Sequence, residues 1–221
     1  MEYMIKYFTI YGERCSGTNF LMHAIVNNFT IEYTTKYTWK HFFGHYNFQN
    51  NEEEDETLFI CIVRNPITWI DSLYKKMHHI PPENKGTYHN FLFNTFYSIY
   101  EDTYTEIMED RHIITKNRYK NIFELRNVKN NYLIEEMKKK VKNYILIRYE
   151  DLRDQYDMVL HFLKNKFNLK QKEDPFVKIT NYKGIKNKIY EKKKVELPIQ
   201  IVKKILNNVN IEQEKSLGYI I

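Results

Sequence analysis

The sequence predicts an α/β protein with three layers, in which helices cover both faces of a central parallel sheet of about four to five strands. Short apolar stretches that favour strands alternate along the chain with segments in which apolar residues recur at helical spacing. One of these stretches, residues 58–63, is continuously apolar, which is typical of a strand buried on both faces of its sheet. The chain has 221 residues and no Gly/Ser-rich linker, so we expect a single domain spanning residues 1–221.

The first predicted strand, turn and helix indicate a phosphate-binding site. Residues 4–11 favour a strand, Gly12 ends that stretch, and Leu21, Ile25 and Phe29 then recur at helical spacing. A turn of this kind points successive backbone N–H groups, together with the positive end of the helix dipole, at one spot beyond the strand. We expect an anionic ligand to bind at that spot.

The spacing of Gly12, Gly17 and Thr18 matches the first part of a P-loop. The full P-loop pattern contains a Lys followed by Ser or Thr, whereas here Asn19 occupies the last position and no Lys precedes it. We therefore expect the loop to hold an anionic nucleotide, but not in the way in which P-loop proteins hold ATP and magnesium.

Further strands and helices are predicted along the rest of the chain. Strands are expected at residues 30–38, 58–63 and 144–148. Helices are expected at residues 66–77, 90–108, 133–142 and 198–207, and another opens at Tyr149 with Met158 and Phe162 among its apolar residues. The prolines at positions 66 and 198 suit the first turn of a helix. Residues 49–56 are strongly polar and are expected to form an exposed excursion.

Composition argues against several classes of function. The two cysteines, Cys15 and Cys61, are too few for a disulfide framework, and neither precedes an Arg at the spacing of cysteine phosphatases. We find neither a secretory signal nor an apolar run of membrane-spanning length, so we expect a soluble cytoplasmic protein without a membrane partner. The net charge is +6, and we interpret the lysine runs at 138–142 and 192–194 as solvated surface.

Three polar clusters follow predicted strands, at residues 12–19, 39–41 and 64–72. Ligands of open parallel sheets bind at the carboxyl ends of the strands. In these clusters the sequence resembles the sulfotransferases that use 3′-phosphoadenosine 5′-phosphosulfate (PAPS). The matching segments are GERCSGTN at 12–19, CIVRNPITWIDSLYKK at 61–76, YEDL at 149–152 and LGYI at 217–220.

The resemblance implies a P-loop NTPase-like sulfotransferase fold. It also implies an enzyme that moves a sulfuryl group from PAPS to a hydroxyl or amine of a small-molecule or glycan acceptor, with the desulfated nucleotide PAP as product and with no metal. Arg64 and Ser72 would hold the 3′-phosphate, and Phe20 would stack on adenine. The complete set of implied nucleotide-binding residues is Arg14, Cys15, Ser16, Gly17, Thr18, Asn19, Phe20, Arg64, Ser72, Lys183 and Gly184.

By the same resemblance, His41 is the base that takes the proton from the acceptor, with His45 as a substitute. A histidine that titrates near neutrality suits this role. Many family members have a Lys where this sequence has Cys15, so Arg14 or Lys40 would supply the positive charge instead, and both join His41 as candidate catalytic residues. The missing Lys also leaves open a protein that binds the nucleotide but is inactive.

Two other functions stay open. A P-loop kinase acting on a nucleotide or small molecule would require a loop Lys and an acidic residue for magnesium, and no clear candidate exists for either. A protein that binds nucleic acid or another polyanion would require clustered cations, for which residues 118–131 are the nearest approach. Under the sulfotransferase interpretation we expect no nucleic-acid partner, and the sequence does not determine the acceptor or the oligomeric state.

Overall fold

The structure is a computed structural model that describes residues 4–181 and 194–220. Four strands in these residues form one parallel sheet in the order β2-β1-β3-β4. The strands are β1 (Tyr7–Tyr11), β2 (Glu32–Tyr33), β3 (Thr57–Val63) and β4 (Tyr144–Arg148). The predicted α/β class and the parallel sheet are therefore confirmed.

Helices connect and flank the strands. They are α1 (Thr18–Asn28), α2 (Glu52–Asp55), α3 (Pro66–Lys76), α4 (Tyr88–Phe93), α5 (Ile122–Asn131), α6 (Met137–Lys140), α7 (Tyr149–Asp154), α8 (Tyr156–Lys166), α9 (Ile199–Asn208) and α10 (Ile211–Ser216). A π-helical turn, Tyr132–Glu136, joins α5 to α6, and short 3₁₀ turns lie at Pro82–Asn84 and Met108–Asp110. Among the described residues, no helix is both long enough and apolar enough to cross a membrane.

Helices cover both faces of the sheet. Successive strand residues point to opposite faces, and the two faces of β3 have different neighbours. Ile60 belongs to a buried cluster with Leu21 of α1 and Leu160 of α8. Cys61 points the other way and shares a cluster with Leu133 and Met137, from the segment that links α5 to β4. The arrangement is compatible with the predicted three layers.

The second strand is much shorter than the predicted residues 30–38. Only Glu32 and Tyr33 pair with β1. Beyond them the chain leaves the sheet edge, because the buried ring of Tyr37 packs 5.0 Å from that of Phe59, measured between ring centroids. The alternation of side chains beyond Tyr33 therefore reflects entry into the core rather than strand pairing.

The predicted helix at residues 90–108 is wrong. Helix α4 ends at Phe93, and the chain then extends through antiparallel bridges that pair Phe96 with Tyr119 and Ile99 with Glu106. Phe91 and Phe96 are fully buried, so the aromatic residues there do belong to the core. These aromatic residues therefore reach the core from a short helix and the extended segment that follows it, not from one long helix.

The helical segment predicted at residues 133–142 starts earlier, at Ile122. The side chain of Asn121 caps α5 by accepting from the N–H groups of Phe123 and Glu124. Sequence reasoning missed this helix and considered its cations only as part of a candidate polyanion-binding cluster, whereas Arg126 and Lys129 are both buried and ion-paired.

Smaller corrections concern the exposure of single residues. Met158 and Phe162 of α8 are 60% and 53% exposed, because α7 ends at Asp154 and a break at Gln155 redirects the following helix. In the polar segment at 49–56, Glu54 is buried, and its carboxylate accepts from nearby backbone N–H groups. Pro198 precedes α9 as its N-cap rather than as its first residue.

Candidate functional site

The strand order creates a crevice at the carboxyl ends of β1 and β3. These two strands are neighbours, but the chain leaves β1 toward β2 on one side and leaves β3 toward β4 on the other. In open parallel sheets, ligands bind in the crevice at such a switch point, because the connections diverge there. Gly12 follows β1 and Arg64 follows β3, so two of the three polar clusters singled out in the sequence meet at this place.

The loop after β1 presents unpaired backbone N–H groups at the start of α1. Gly17 has a left-handed conformation, with φ near 95°, and forms the N-cap of α1 without any side-chain cap. Cys15 is also left-handed, with φ near 63°. Within the described part of the chain, the N–H groups of Cys15, Gly17, Thr18 and Asn19 donate to no acceptor. Unpaired N–H groups at the positive end of a helix dipole are suited to binding an anion.

Gly17 cannot be replaced without moving its surroundings. A Cβ atom at this position would lie 2.3 Å from Cδ2 of Tyr149, and the positive φ already disfavours a side chain. We expect Gly17→Ala to lower the free energy of unfolding by roughly 2–3 kcal/mol and to weaken anion binding by the loop. Chemical denaturation and calorimetric titration would measure the two effects.

Gly86→Ala is the matched control for this variant. Gly86 has a similar φ of 91°, but a Cβ there would meet nothing within 4 Å. Gly86→Ala should therefore cost only the conformational part, about 1–2 kcal/mol, and should leave anion binding unchanged. Equal losses of stability in the two variants would show that Tyr149 does not constrain the loop.

Arg64 points toward the loop. Its Nη1 donates to the carbonyl oxygen of Cys15 at 2.9 Å, and its Nε donates to Thr68 Oγ1 at 3.0 Å. The guanidinium also lies 4.6 Å from the centre of the Tyr149 ring. No group among the described residues accepts from Nη2 of Arg64. A planar guanidinium with an available donor beside a set of N–H groups suits a phosphate group.

Ser72 lies on α3 beside the same loop. The Sγ atom of Cys15 is 3.7 Å from the carbonyl oxygen of Ser72. The Ser72 hydroxyl has no hydrogen-bond partner in the described residues. Both Arg64 and the backbone of Ser72 therefore lie beside Cys15 of the loop.

Glu150 supports the start of α3. Its Oε1 accepts from the backbone N–H of Asn65 at 3.1 Å and from Thr68 Oγ1 at 3.3 Å, and its Oε2 accepts from the Tyr219 hydroxyl at 3.2 Å. The YEDL segment and the LGYI segment are therefore joined through this carboxylate, next to Arg64. Sequence reasoning recognised both segments but assigned no role to Glu150, since the residues next to it in the sequence do not show which distant residues its carboxylate contacts.

The imidazole of His41 lies against the loop. Its Nδ1 is 2.7 Å from the carbonyl oxygen of Gly12. Because a carbonyl oxygen only accepts, Nδ1 carries the proton and Nε2 has a free lone pair. Burial lowers the pKa of His41 to about 3, so the ring is neutral at pH 7. The ring therefore does not titrate near neutrality as expected from the sequence, because burial disfavours its charged form, although its unprotonated Nε2 can still accept a proton from a substrate.

Lys40 places a cation at the first turn of α1. Its Nζ donates to Asn19 Oδ1 at 2.5 Å, and its carbonyl oxygen accepts from the N–H of Gly12 at 3.0 Å. The ammonium also lies 5.5 Å from the ring centre of Trp39. Asn19, which breaks the P-loop pattern, therefore links the loop to Lys40.

The side chain of Arg14 is engaged inside the protein. Its guanidinium donates to the carbonyl oxygen of His78 at 3.0 Å and contacts the carboxylates of Glu13 and Asp110 at 3.3 and 3.4 Å. Arg14 is only 3% exposed, and its carbonyl oxygen accepts from the indole N–H of Trp69. Both cations expected to replace the loop Lys are therefore buried, Arg14 against the carboxylates of Glu13 and Asp110 and Lys40 against the side chain of Asn19 at the first turn of α1.

A cleft of about 530 Å³ opens beside the loop. It is lined by Phe20, Arg153, Tyr156, Lys178 and Ile179, among others. The Phe20 ring is partly exposed there and lies edge-on to the rings of Tyr149 and Tyr156, at 6.3 and 6.1 Å. An aromatic ring at the wall of such a cleft can contact a purine. The remaining predicted nucleotide residues, Lys183 and Gly184, lie outside the described residues.

The basic segment at 118–131 does not present its cations together. Arg126 pairs with Glu214, Lys129 pairs with Glu13 and Asp110, and both cations are almost fully buried. Among the described residues, no group of three or more His, Cys, Asp or Glu side chains is arranged to hold a metal ion.

Comparisons of the chain with protein-family models, with curated proteins and with solved structures find no match. The function of this crevice must therefore be inferred from its own chemistry.

Proposed function

We propose that the protein is a sulfotransferase that moves a sulfuryl group from PAPS to a hydroxyl or amine of a small-molecule or glycan acceptor. One observation carries the proposal. The unpaired N–H groups of the loop, the available donor of Arg64 and the unprotonated Nε2 of His41 all belong to a single switch-point crevice. This set combines an anion site with a base, which is what group transfer from an activated anionic nucleotide requires.

The loop and Lys40 would hold the 5′-phosphosulfate. Four unpaired N–H groups lie at the start of α1, and the Lys40 ammonium is bonded to Asn19 in the same turn, so these groups would bind the anion and stabilise the charge that develops on the leaving phosphate oxygen. These donors need no metal ion for that task. Arg64 and Ser72 would bind the 3′-phosphate, and the cleft beside Phe20 would take the adenine.

His41 would act as the general base. The hydrogen bond to Gly12 holds Nδ1, so Nε2 is the atom that takes the proton from the attacking acceptor hydroxyl or amine. The nucleotide supplies the activated sulfuryl group, which ends on the acceptor while PAP leaves. The remaining task of the protein is to align acceptor, sulfuryl group and leaving oxygen, and the links between Gly12, Lys40 and His41 favour a fixed alignment.

The nucleotide assignment is tested by calorimetric titration of PAP, and of ADP with magnesium, into wild type and Arg64→Ala. We expect micromolar binding of PAP and a loss of about 2 kcal/mol, or about 30-fold, when the charged hydrogen bonds of Arg64 are removed. Arg118→Ala is the matched control, because Arg118 pairs with Glu106 outside the crevice and should not affect PAP binding.

Either of two results would overturn this proposal. One is preferred binding of ADP with magnesium and indifference to the 3′-phosphate, which would favour a P-loop kinase. The other is equal loss of PAP affinity in the Arg64 and Arg118 variants, which would indicate non-specific attraction to a basic protein.

A further inference from the structure

Four buried charges lie behind the crevice. They belong to Glu13 and Arg14 in the loop, Asp110 in a 3₁₀ turn and Lys129 in α5, and their formal charges cancel. The side chains of Lys129 and Asp110 are 2% and 0% exposed. Burial alone would raise the pKa of the Glu13 carboxyl, but the charges of Lys129 and Arg14 lower it to about 2. The roles proposed above do not involve Lys129.

Lys129 also contacts the segment that carries the base. Its Nζ donates to the carbonyl oxygen of His41 at 2.8 Å, lies 2.9 Å from Glu13 Oε2, and donates to Asp110. An ammonium group has three donors and no acceptor. Two of these donors are used in the hydrogen bonds to His41 and Asp110, and the ammonium also forms an ion pair with Glu13. Lys129 thereby joins the His41 segment, the loop and the 3₁₀ turn.

Three links therefore connect the loop to the base. The Nδ1 of His41 donates to the carbonyl oxygen of Gly12, the N–H of Gly12 donates to the carbonyl oxygen of Lys40, and Lys129 bridges His41 and Glu13. The first link alone would leave the backbone of His41 free to shift. The Lys129 bridge holds that backbone through the carbonyl oxygen of His41.

We propose that Lys129 is a positioning residue, which fixes the imidazole of His41 relative to the anion-binding loop. The inference rests on the proposed function, since the fixed distance matters for transfer from a loop-bound anion to an acceptor activated by His41. Transfer reactions are sensitive to displacements of about 1 Å. A buried charge cluster is weak evidence for stability by itself, because apolar residues of similar volume often serve as well. We therefore assign to the Lys129 contacts a role in fixing the position of His41 relative to the loop, not a role in stability.

A purely structural role for Lys129 would be to neutralise Glu13 and Asp110. The double variant Lys129→Met/Asp110→Asn separates the two roles, because Glu13 and Arg14 remain as a balanced pair while the donor to His41 is lost. Asp110→Asn alone is the baseline, since Lys129 can still bridge Glu13 and His41. Lys129→Gln/Asp110→Asn has the same neutral cluster and serves if the methionine variant does not fold.

The first measurement is the tautomer of His41, read from the ¹⁵N chemical shifts of its imidazole and assigned with His41→Asn. We expect wild type and Asp110→Asn to show a single tautomer protonated on Nδ1, and the double variant to show a mixture. The second measurement is turnover with PAPS and an accepted acceptor. We expect kcat to fall about 10- to 100-fold in the double variant relative to Asp110→Asn, with PAP affinity unchanged.

A double variant that keeps the wild-type tautomer and turnover would overturn the proposal and leave Lys129 as a neutralising residue. The imidazole measurement requires no activity, so it also decides the role of Lys129 if wild type fails to bind PAP and the proposed function fails. A loss of PAP affinity that accounts for the whole loss of rate would likewise contradict a positioning role.

Discussion

Replacing His41 by Asn is expected to lower sulfuryl transfer by roughly 10²- to 10⁴-fold, the usual contribution of general base catalysis. The Asn side chain can still donate to the carbonyl oxygen of Gly12, so the loop should keep its shape, but it has no base in place of Nε2. PAP affinity should stay within a few-fold of wild type. Steady-state turnover and calorimetric titration on the same preparation would separate the two quantities.

His45→Asn is the matched control for this substitution. His45 lies four residues further along and its Nδ1 is 2.8 Å from the ammonium of Lys116, away from Gly12. We expect the His45 variant to retain wild-type turnover. If His45→Asn loses the activity and His41→Asn keeps it, the base has been assigned to the wrong imidazole.

The lowered pKa of His41 makes the free energy of unfolding depend on pH in a direction that can be measured. Its ordinary value is 6.5, and in the folded protein burial lowers it to about 3. Below pH 6.5 the unfolded chain therefore takes up a proton that the folded chain refuses, so stability falls as the pH drops from about 6.5 toward 3. The acid limb of kcat/KM should also lie below pH 6.5, because the folded ring stays unprotonated there.

Urea unfolding at pH 7 and pH 5 tests this effect in the same His41→Asn variant. Wild type should lose about 1–2 kcal/mol more than the variant over this interval. Glu13, whose pKa is lowered to about 2 from an ordinary 4.5, loses its contribution at still lower pH and adds little above pH 5. Equal losses in wild type and variant would show that the His41 ring is hydrated rather than buried.

Replacing Arg126 by Met is expected to lower the free energy of unfolding by about 3–5 kcal/mol. The guanidinium of Arg126 donates to the carboxylate of Glu214 at 2.5 and 2.7 Å, and both side chains are almost fully buried. Its removal leaves the Glu214 charge buried without a partner. The same guanidinium donates to the carbonyl oxygen of Arg64 at 2.9 Å, so PAP binding should weaken as well.

Two comparisons isolate the buried charge as the cause. Arg126→Met/Glu214→Leu removes both charges and should recover most of the lost stability, as buried ion pairs replaced by apolar residues generally do. Arg118→Met breaks an ion pair on the surface, with Glu106, and should cost no more than about 1 kcal/mol. A loss below 1 kcal/mol for Arg126→Met itself, measured by denaturant titration, would mean that Glu214 becomes hydrated.

Much of the fold could be predicted from local patterns. The apolar stretch at 58–63 corresponds to β3, which begins one residue earlier, and the strand at 144–148 has its predicted bounds. Pro66 opens α3 as expected. These features depend on the period of apolar residues and on the backbone restrictions of Pro and Gly, which neighbouring residues along the chain determine.

The turn after β1 could also be predicted from local patterns. The sequence alone places a turn of small and polar residues between a strand and a helix at Gly12 to Gly17. Among the described residues, the N–H groups of Cys15 and Gly17 in that turn have no acceptor, whereas those of Gly12, Arg14 and Ser16 are hydrogen-bonded. The clusters at 39–41 and 64–72 could be assigned to the same sheet edge, because the carboxyl ends of parallel strands lie together.

Only the tertiary structure decided what the charged side chains do. From the sequence, Arg14 was expected to bind the nucleotide, and Arg126 and Lys129 were candidates for a polyanion site, yet each is buried against a carboxylate far away along the chain. The tautomer of His41 and the support that Glu150 gives to α3 likewise depend on atoms from other elements. The sequence by itself located β1, β3 and β4, the turn after β1 and the sheet edge, because local periodicity and backbone preference specify them. Which charge meets which partner depends on how the helices pack on the sheet, and short-range patterns carry no information about that packing.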